Sequence, residues 1–173
     1  MMETERKFLI RRLPDNLSDY EKKEIEQGYL CTNPVIRIRK SNEEYYMTYK
    51  SRLNTQAAGS VALVCEEVEL PLTKEAYYHL REKTDFRLIT KSRYLIPLLG
   101  GLKAELDIFK GELKGLIFAE VEFKSEEEAK NFKVPDWFLE DVTFDDRYKN
   151  NVLAMTENLS ELKFGFIKEE SDS

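Results

Sequence analysis

The sequence is poor in the residues that support thiol and disulfide chemistry. Among its 173 residues there are two cysteines, Cys31 and Cys65. A disulfide between them is compatible with the sequence but is not required by it, so we expect a reduced, cytoplasmic protein. The longest apolar stretch, Tyr94 to Leu99, is too short to span a bilayer and contains a proline, so no membrane segment is predicted.

Histidine is scarcer still. The one histidine, His79, falls in a segment with helical spacing, where a surface position is the expected one. A serine or cysteine nucleophile activated by histidine is therefore not predicted. The acidic N-terminus has no apolar segment after it, and no signal peptide is expected.

What the chain has in abundance is charge. Charged residues make up 35% of the sequence, hydrophobic residues 42%, and the net charge is −6. These proportions predict one globular domain over 1–173 with a disordered tail at 168–173. The negative net charge argues against a nucleic-acid partner.

The charges recur at every second residue. Glu3, Glu5 and Lys7 would share one face of an extended strand, because successive side chains point to opposite faces. The same alternation continues along the chain, with the opposite positions apolar, as in Ile36, Ile38, Val68, Leu70, Ile117, Val121 and Phe123. The charged positions that follow the first strand are Arg37, Arg39, Lys50, Glu67, Glu69, Lys91, Arg93, Glu105, Asp107, Glu120 and Glu122.

About eight such strands, mostly joined by short turns, predict a mainly β protein of the α+β type, built as an antiparallel barrel or strongly curved sheet. Residues 51–59 are polar and predict a mobile loop. Capping residues and helical spacing predict short helices at 18–26, 73–83, 125–132 and about 150–156.

Two interpretations of the charged face are open. A half-buried sheet normally turns its charged face to bulk water, and any one of these strands fits that arrangement. However, the charges are sorted into acidic pairs and basic pairs at spacing i, i+2. Carboxylate pairs without cysteine or histidine suit Mg²⁺ or Mn²⁺ rather than zinc, and arginine pairs suit phosphate oxygens. Together they indicate a metal-assisted site for a linear polyphosphate.

These residues also carry a resemblance to a known family. Glu3-Thr4-Glu5-Arg6-Lys7 is similar to the ExExK motif of the CYTH superfamily, the triphosphate tunnel metalloenzymes. The resemblance runs in unchanged order over about residues 1 to 155. It includes Gln27-Gly28-Tyr29-Leu30, Arg37-Ile38-Arg39, Thr48-Tyr49-Lys50, Glu67-Val68-Glu69, Lys91-Ser92-Arg93-Tyr94, Glu105-Leu106-Asp107, Glu120-Val121-Glu122 and 145–150.

The resemblance implies an eight-stranded closed antiparallel barrel with flanking helices, whose interior is a tunnel for a triphosphate. It implies a divalent cofactor, Mg²⁺ or Mn²⁺, held by Glu3, Glu5, Asp107, Glu120 and Glu122. The triphosphate ligands would be Lys7, Arg37, Arg39, Lys50, Lys91 and Arg93, of which Lys7, Lys91 and Arg93 are the expected catalytic residues. A supporting set would be Tyr29, Glu67, Glu69 and Glu105.

A small, acidic chain of this kind most resembles the bacterial inorganic triphosphatases, which implies hydrolysis of tripolyphosphate to pyrophosphate and phosphate. The alternatives within the family are a class IV-type adenylate cyclase and a nucleoside or thiamine triphosphatase. The one tryptophan, Trp137, is predicted in a late loop and gives little support to a thiamine site. A non-enzymatic polyphosphate-binding module is a further alternative. The expected partner is a small-molecule triphosphate, either tripolyphosphate or ATP, bound by a monomer or homodimer.

Overall fold

A computed structural model describes residues 1–52 and 59–162 of the chain. The described residues form nine strands of one sheet: β1 Met2–Ile10, β2 Glu21–Thr32, β3 Val35–Ser41, β4 Glu44–Arg52, β5 Leu63–Pro71, β6 Asp85–Pro97, β7 Lys103–Phe109, β8 Ile117–Phe123 and β9 Phe138–Asp141. Within the same ranges, three short α-helices accompany them: α1 Lys74–Arg81, α2 Glu126–Lys130 and α3 Asn150–Met155.

Eight of the strands close into an antiparallel barrel. Their order is β5-β4-β3-β2-β6-β7-β8-β1, and β1 closes the ring by pairing with β5. The closing β1–β5 pairing sets Glu3 opposite Cys65, and the β1–β8 pairing sets Lys7 opposite Glu120. Strand β9 lies outside the barrel and pairs with β1 where the register shifts between Phe8 and Ile10. The predicted closed eight-stranded barrel is therefore confirmed.

Three of the four predicted helices are present. Thr73 caps α1 by accepting a hydrogen bond from the amide of Ala76 at 3.1 Å, and Ser125 caps α2 by accepting one from Glu128 at 3.1 Å. Such caps satisfy amides that have no partner within the helix. Helix α3 begins at Asn150 as predicted.

The helix predicted at 18–26 is wrong. Only Leu17–Asp19 forms a helical turn, and the chain from Glu21 onward is the twelve-residue strand β2. The local pattern of Ser18 and Glu21 resembles a helix cap, but β3 and β6 hydrogen-bond to β2 on both sides and override that preference. No strand is predicted from the sequence at β9, which is four residues long.

The outward apolar face of the barrel forms much of the core. Val121, Phe123 and Phe8 are buried beneath α2 and β9. Val68 and Leu70 also point outward but are exposed, because α1, α2 and β9 cover other parts of the wall. Inside the barrel, Leu9, Ile89, Phe109 and Phe118 form a second apolar cluster together with Leu153 of α3. This cluster fills part of the interior and leaves the rest to charged residues.

Among the described residues, no helix combines the length and apolar character that a membrane crossing requires. The first two residues of the predicted loop at 51–59 belong to β4, and 53–58 lie outside the described residues, as does the predicted tail at 168–173. One domain over 1–173 stays a prediction.

Candidate active site in the barrel cavity

A cavity of about 750 Å³ occupies the interior of the barrel. Period-two alternation turns one face of every strand toward it, so charged side chains far apart in the sequence meet there. All of the sequence-predicted site residues except Lys91 and Asp107 line this cavity, namely Glu3, Glu5, Lys7, Tyr29, Arg37, Arg39, Lys50, Glu67, Glu69, Arg93, Glu105, Glu120 and Glu122. Their individual roles stay predictions.

One side of the cavity is acidic. We call it the acidic wall, and it consists of Glu3, Glu5, Glu67, Glu120 and Glu122 on β1, β5 and β8. A single ammonium group serves three of these carboxylates, because Lys50 Nζ lies 2.8 Å from Glu3, 3.7 Å from Glu5 and 3.8 Å from Glu67. The wall therefore holds more carboxyl groups than Lys50 alone can neutralise.

The pKa values of these carboxyls reflect that surplus. Burial raises the pKa of Glu5 to about 8, and Glu120 and Glu3 add to the rise while Lys50 opposes it. Burial and the neighbouring Glu67 raise the pKa of Glu3, and burial with Glu3 and Glu105 raises that of Glu122. Burial alone would lower the pKa of Lys50, but Glu5 and Glu3 hold it well above its usual range.

The donor set of the acidic wall fits a hard divalent cation. The atoms of the acidic wall that could coordinate a metal are all carboxylate oxygens, the ligands that Mg²⁺ and Mn²⁺ prefer. Glu3 Oε2 is buried and accepts no hydrogen bond, although it is ion-paired with Lys50. Within 1–52 and 59–162, no three acidic, histidine or cysteine side chains already converge in the geometry of metal ligands. The chemistry of the wall suits a cation, and Lys50 currently supplies the positive charge.

The opposite side of the cavity is basic. We call it the basic wall, and it consists of Arg37, Arg39 and Arg93 on β3 and β6. Arg37 Nη2 donates to the hydroxyl of Thr48 at 3.3 Å, and its Nε is buried without a hydrogen-bond partner. Arg39 donates from Nε and Nη2 to Gln27 Oε1 at 3.0 and 2.7 Å. In the part of the chain that the structure describes, neither Arg37 nor Arg39 has a carboxylate within ion-pairing distance.

Burial and the nearby charges of Arg37 and Arg93 lower the pKa of Arg39 to about 9. Arg39 therefore remains a cation near neutral pH, but it is crowded by like charge. Guanidinium groups without a carboxylate partner are suited to hold phosphate oxygens, because their planar fork matches that geometry.

Arg93 is fixed by a network of ion pairs, most of which is buried outside the cavity. Asp107 accepts hydrogen bonds from Arg93 Nε at 2.7 Å and Nη2 at 2.9 Å, and from Lys91 Nζ at 2.7 Å. Glu105 also pairs with Arg93. Lys91 and Asp107 are fully buried and do not line the cavity. The predicted roles of Lys91 as a phosphate ligand and Asp107 as a metal ligand stay predictions, and each would require the side chain to exchange its present partners.

The ionisation of this network is uneven. Burial lowers the pKa of Lys91 to about 7, with Arg93 and Arg39 adding to the effect and Asp107 opposing it. The pKa of Asp107 is lowered, because Arg93 and Lys91 outweigh its burial. Asp107 is thus an anion that fixes Arg93 in place.

Lys7 pairs with Glu120 of the acidic wall. Lys7 Nζ donates to the carbonyl of Tyr148 at 2.8 Å and lies 3.6 Å from Glu120 Oε1. Burial alone would raise the pKa of Glu120, but Lys7, Arg93 and Lys91 hold it far below its usual value. Glu120 is therefore an ionised carboxylate between cations, unlike Glu5.

Sequence reasoning misses several cavity residues. Lys23 on β2 lines the cavity. Its period-two spacing with Ile25, Gln27 and Tyr29 indicates a strand face, but the helix predicted at 18–26 assigns Lys23 to a helix instead. Lys149 and its ion-pair partner Asp146 also line it, as do Asn150, Asn151, Val152 and Met155. No spacing within the strands predicts these, because they come from the segment around α3.

Other residues lie where the sequence places them. His79 is exposed on α1, as predicted. Trp137 packs edge-on against Phe138 at 4.5 Å between ring centroids and does not line the cavity. Cys31 is half-buried and Cys65 is buried.

A closed eight-stranded barrel with an acidic and a basic wall facing one cavity defines a class of protein suited to a metal-complexed polyanion. Comparison with known proteins gives the family. A CYTH domain matches residues 1–146, and the chain belongs to the CYTH domain family.

Curated relatives cover most of the chain. It is 38% identical over 159 residues to an inorganic triphosphatase of Nitrosomonas europaea, covering 90% of this chain and 99% of that protein. It is 33% identical over 132 residues to an inorganic triphosphatase of Acetivibrio thermocellus, covering 74% of this chain and 78% of that one. The crystal structure of the inorganic triphosphatase NE1496 matches with a TM-score of 0.65 at 37% identity, covering 89% of this chain and 95% of that one.

Proposed function

We propose that this protein is a divalent-metal-dependent inorganic triphosphatase that hydrolyses tripolyphosphate to pyrophosphate and phosphate. The observation that carries the proposal is the pair of oppositely charged walls facing one cavity. The acidic wall has carboxylates in surplus over Lys50, and the basic wall has Arg37 and Arg39 without carboxylate partners. The similarity to an inorganic triphosphatase over 90% of the chain supports the same activity.

The acidic wall would hold Mg²⁺ or Mn²⁺ through Glu3, Glu5, Glu120 and Glu122. When bound, such an ion would neutralise phosphate charge and act as a Lewis acid on a phosphoryl oxygen. Asp107 is less favoured as a ligand, because its two oxygens already accept hydrogen bonds from Lys91 and Arg93.

The chain's own cations would bind the substrate. Arg37, Arg39 and Arg93 place guanidinium donors along one side of the cavity, and Lys7 and Lys50 bring ammonium groups to the other side. Transfer of a phosphoryl group to water requires positioning and charge neutralisation more than a protein nucleophile. A carboxylate of the acidic wall would orient the attacking water or accept its proton.

Tripolyphosphate is favoured over organic triphosphates by the lining of the cavity. A thiamine or adenine ring is held best by stacking on an aromatic surface, and Trp137 does not line the cavity. The lining aromatic residues that the structure describes are Tyr29, which is buried, and Tyr46, whose hydroxyl donates to Glu44. No described feature favours a cyclase. A monomer or homodimer stays a prediction.

The proposal is tested by measuring phosphate release from tripolyphosphate, ATP and thiamine triphosphate in parallel, with Mg²⁺, with Mn²⁺ and with EDTA. We expect fast release from tripolyphosphate that EDTA abolishes, and slower release from the other two. Cyclic AMP with pyrophosphate from ATP would replace the proposal with a cyclase. Metal-independent binding of tripolyphosphate without turnover would reduce the protein to a binding module.

A further inference from the structure

Gln27 lies behind the basic wall rather than in it. Its side chain is fully buried on β2, directly opposite Arg39 in the β2–β3 register, and it does not line the cavity. A single oxygen, Gln27 Oε1, accepts from both Nε and Nη2 of Arg39 at 3.0 and 2.7 Å. The amide nitrogen of Gln27 donates to the hydroxyl of Tyr29 at 3.0 Å. Both ends of the Gln27 amide are therefore in use.

The preceding residue makes the same kind of arrangement on the outer face of β2, with a different chemistry. Glu26 Oε1 accepts from Arg81 Nε at 2.7 Å and from the Tyr77 hydroxyl at 2.7 Å, and Glu26 Oε2 accepts from Arg81 Nη2 at 3.3 Å. Both arrangements therefore join an arginine and a tyrosine to one central side chain. The outer one has a carboxylate at its centre and the inner one has an amide.

The difference matters for the charge of the arginine. A carboxylate at position 27 would form a charge-assisted pair with Arg39 and compete with any anion that approaches it. A neutral amide fixes the orientation of the guanidinium through two of its N–H groups and leaves its positive charge uncompensated. It also orders a long side chain before the substrate arrives, which reduces the entropy lost on binding.

We propose that Gln27 is a positioning residue that aims the Arg39 guanidinium at the bound triphosphate while leaving its charge available. This inference rests on the proposed function, since it assigns Arg39 to the triphosphate. Gln27 itself touches no substrate and acts through Arg39.

The decisive variant is Gln27→Glu, which keeps the shape and both acceptor contacts to Arg39 but adds a negative charge. The Tyr29 hydroxyl can then donate to the new carboxylate. We expect the KM for tripolyphosphate to rise about tenfold or more, and the dissociation constant of tripolyphosphate from the metal-free protein to rise likewise. The reason is that a carboxylate at position 27 would pair with Arg39 and compete with the phosphate for its positive charge. The melting temperature should stay equal or rise.

The matched control is Glu26→Gln, the reverse exchange on the other face of the same strand. It should alter the melting temperature without changing KM or tripolyphosphate binding. If Gln27→Glu bound tripolyphosphate as tightly as the unmodified protein, Gln27 would have only a structural role and the inference would be wrong.

A second variant, Gln27→Met, removes the acceptor without adding charge. The positioning account predicts that tripolyphosphate binds most tightly to the unmodified protein, less tightly to the Met variant and least tightly to the Glu variant. A purely structural role predicts that the Glu variant resembles the unmodified protein and the Met variant is worst. Should the Glu variant not fold, unchanged binding in folded Gln27→Met would itself overturn the inference.

Failure of the inference is distinguishable from failure of the proposed function. An unmodified protein that hydrolyses tripolyphosphate together with a fully active Gln27→Glu variant contradicts the inference alone. An unmodified protein that binds but does not hydrolyse contradicts the proposed function, and the binding order of the variants still decides the inference. An unmodified protein that neither binds nor hydrolyses tripolyphosphate contradicts both.

Discussion

The acidic and basic walls of the cavity show opposite pKa shifts that have the same physical origin. On the acidic wall, burial and like charges raise the pKa of Glu5 to about 8. On the basic wall, burial and like charges lower the pKa of Arg39 to about 9. At these two residues the charged form is costly, because like charges gather there away from water. The pKa values of Glu120 and Arg93 shift the other way, because each faces charges of the opposite sign. Neither wall is balanced alone.

The two walls remain apart despite their complementary charges. Lys50 and Lys7 reach carboxylates, and Asp107 reaches Arg93, but Arg37 and Arg39 face the cavity with neutral partners. Since burying charge without compensation is unfavourable, a ligand that carries both signs suits the site best. A divalent cation bound to a polyphosphate is such a ligand. The first of the following predictions each disturb one wall while leaving the other intact, and the last one disturbs neither.

The largest effect is expected from removing a guanidinium of the basic wall. Arg39→Ala should lower kcat/KM for tripolyphosphate about 10²-fold or more, because the transferring phosphoryl group loses fixed positive charge. Arg81→Ala, which removes an arginine on the outer surface, should leave kcat/KM unchanged. Steady-state kinetics with saturating Mg²⁺ measures both, and full activity in Arg39→Ala would remove this residue from the site.

A change in the acidic wall should act on metal affinity instead. Glu5→Gln removes one carboxylate, and the Mg²⁺ concentration that gives half-maximal activity should rise by at least the ~10-fold that even an indirect metal contact contributes. Glu66→Gln, an exposed position on β5, is the matched control. An unchanged Mg²⁺ requirement in Glu5→Gln would show that the metal binds elsewhere.

The stability of the metal-free protein should depend on pH in a direction set by Glu5. Its pKa is raised in the folded state, so the associated stability is present below about pH 4.5 and is lost as pH rises toward 8. Where the folded protein holds one proton more than the unfolded chain, the free energy of unfolding falls by about 1.4 kcal/mol for each pH unit, so between pH 5 and 7 the loss is on the order of a few kcal/mol.

Urea denaturation in EDTA across pH 5 to 7 measures this slope, and Glu5→Gln should flatten it. The range ends at pH 7 because Lys91, whose pKa is lowered to about 7, gives the opposite slope above that pH. If the free energy of unfolding depended on pH as steeply in Glu5→Gln, groups other than Glu5 would be the cause.

The smallest effect is expected outside both walls. His79→Ala alters an exposed side chain on α1 that does not line the cavity. We expect kcat/KM to be unchanged and the free energy of unfolding to change by less than about 0.5 kcal/mol. A large loss of activity would mean that the outer surface of α1 takes part in the function.

The sequence predicts those parts of the fold and of the site whose pattern lies within one strand. The alternation in β1, β3 and β8 gives both the barrel and most of the cavity lining, because a period of two in a closed sheet has only an inside and an outside. The helix wrongly predicted at 18–26 comes from a local cap pattern, whereas β2 is formed by pairing with β3 and β6, which lie elsewhere in the sequence.

The sequence does not predict which inward-pointing charged side chains line the cavity and which are fully buried. Lys91 and Arg93 have the same periodicity, yet Arg93 lines the cavity and Lys91 is fully buried. The difference arises from the apolar cluster around Phe109 and Phe118, which fills one part of the interior. The contact between Gln27 and Arg39 cannot be predicted from the sequence either, because it depends on the register between β2 and β3.

The central claim is that the two walls bind one ligand of both signs. It is tested most directly by titrating tripolyphosphate calorimetrically into the protein with EDTA and then with saturating Mg²⁺. Slow-turnover conditions, such as the Arg93→Lys variant at low temperature, would prevent hydrolysis during the titration. The account predicts that Mg²⁺ tightens tripolyphosphate binding and that tripolyphosphate tightens Mg²⁺ binding by the same factor, as linkage requires. Equal tripolyphosphate affinity with and without Mg²⁺ would show that the acidic wall takes no part in holding the ligand.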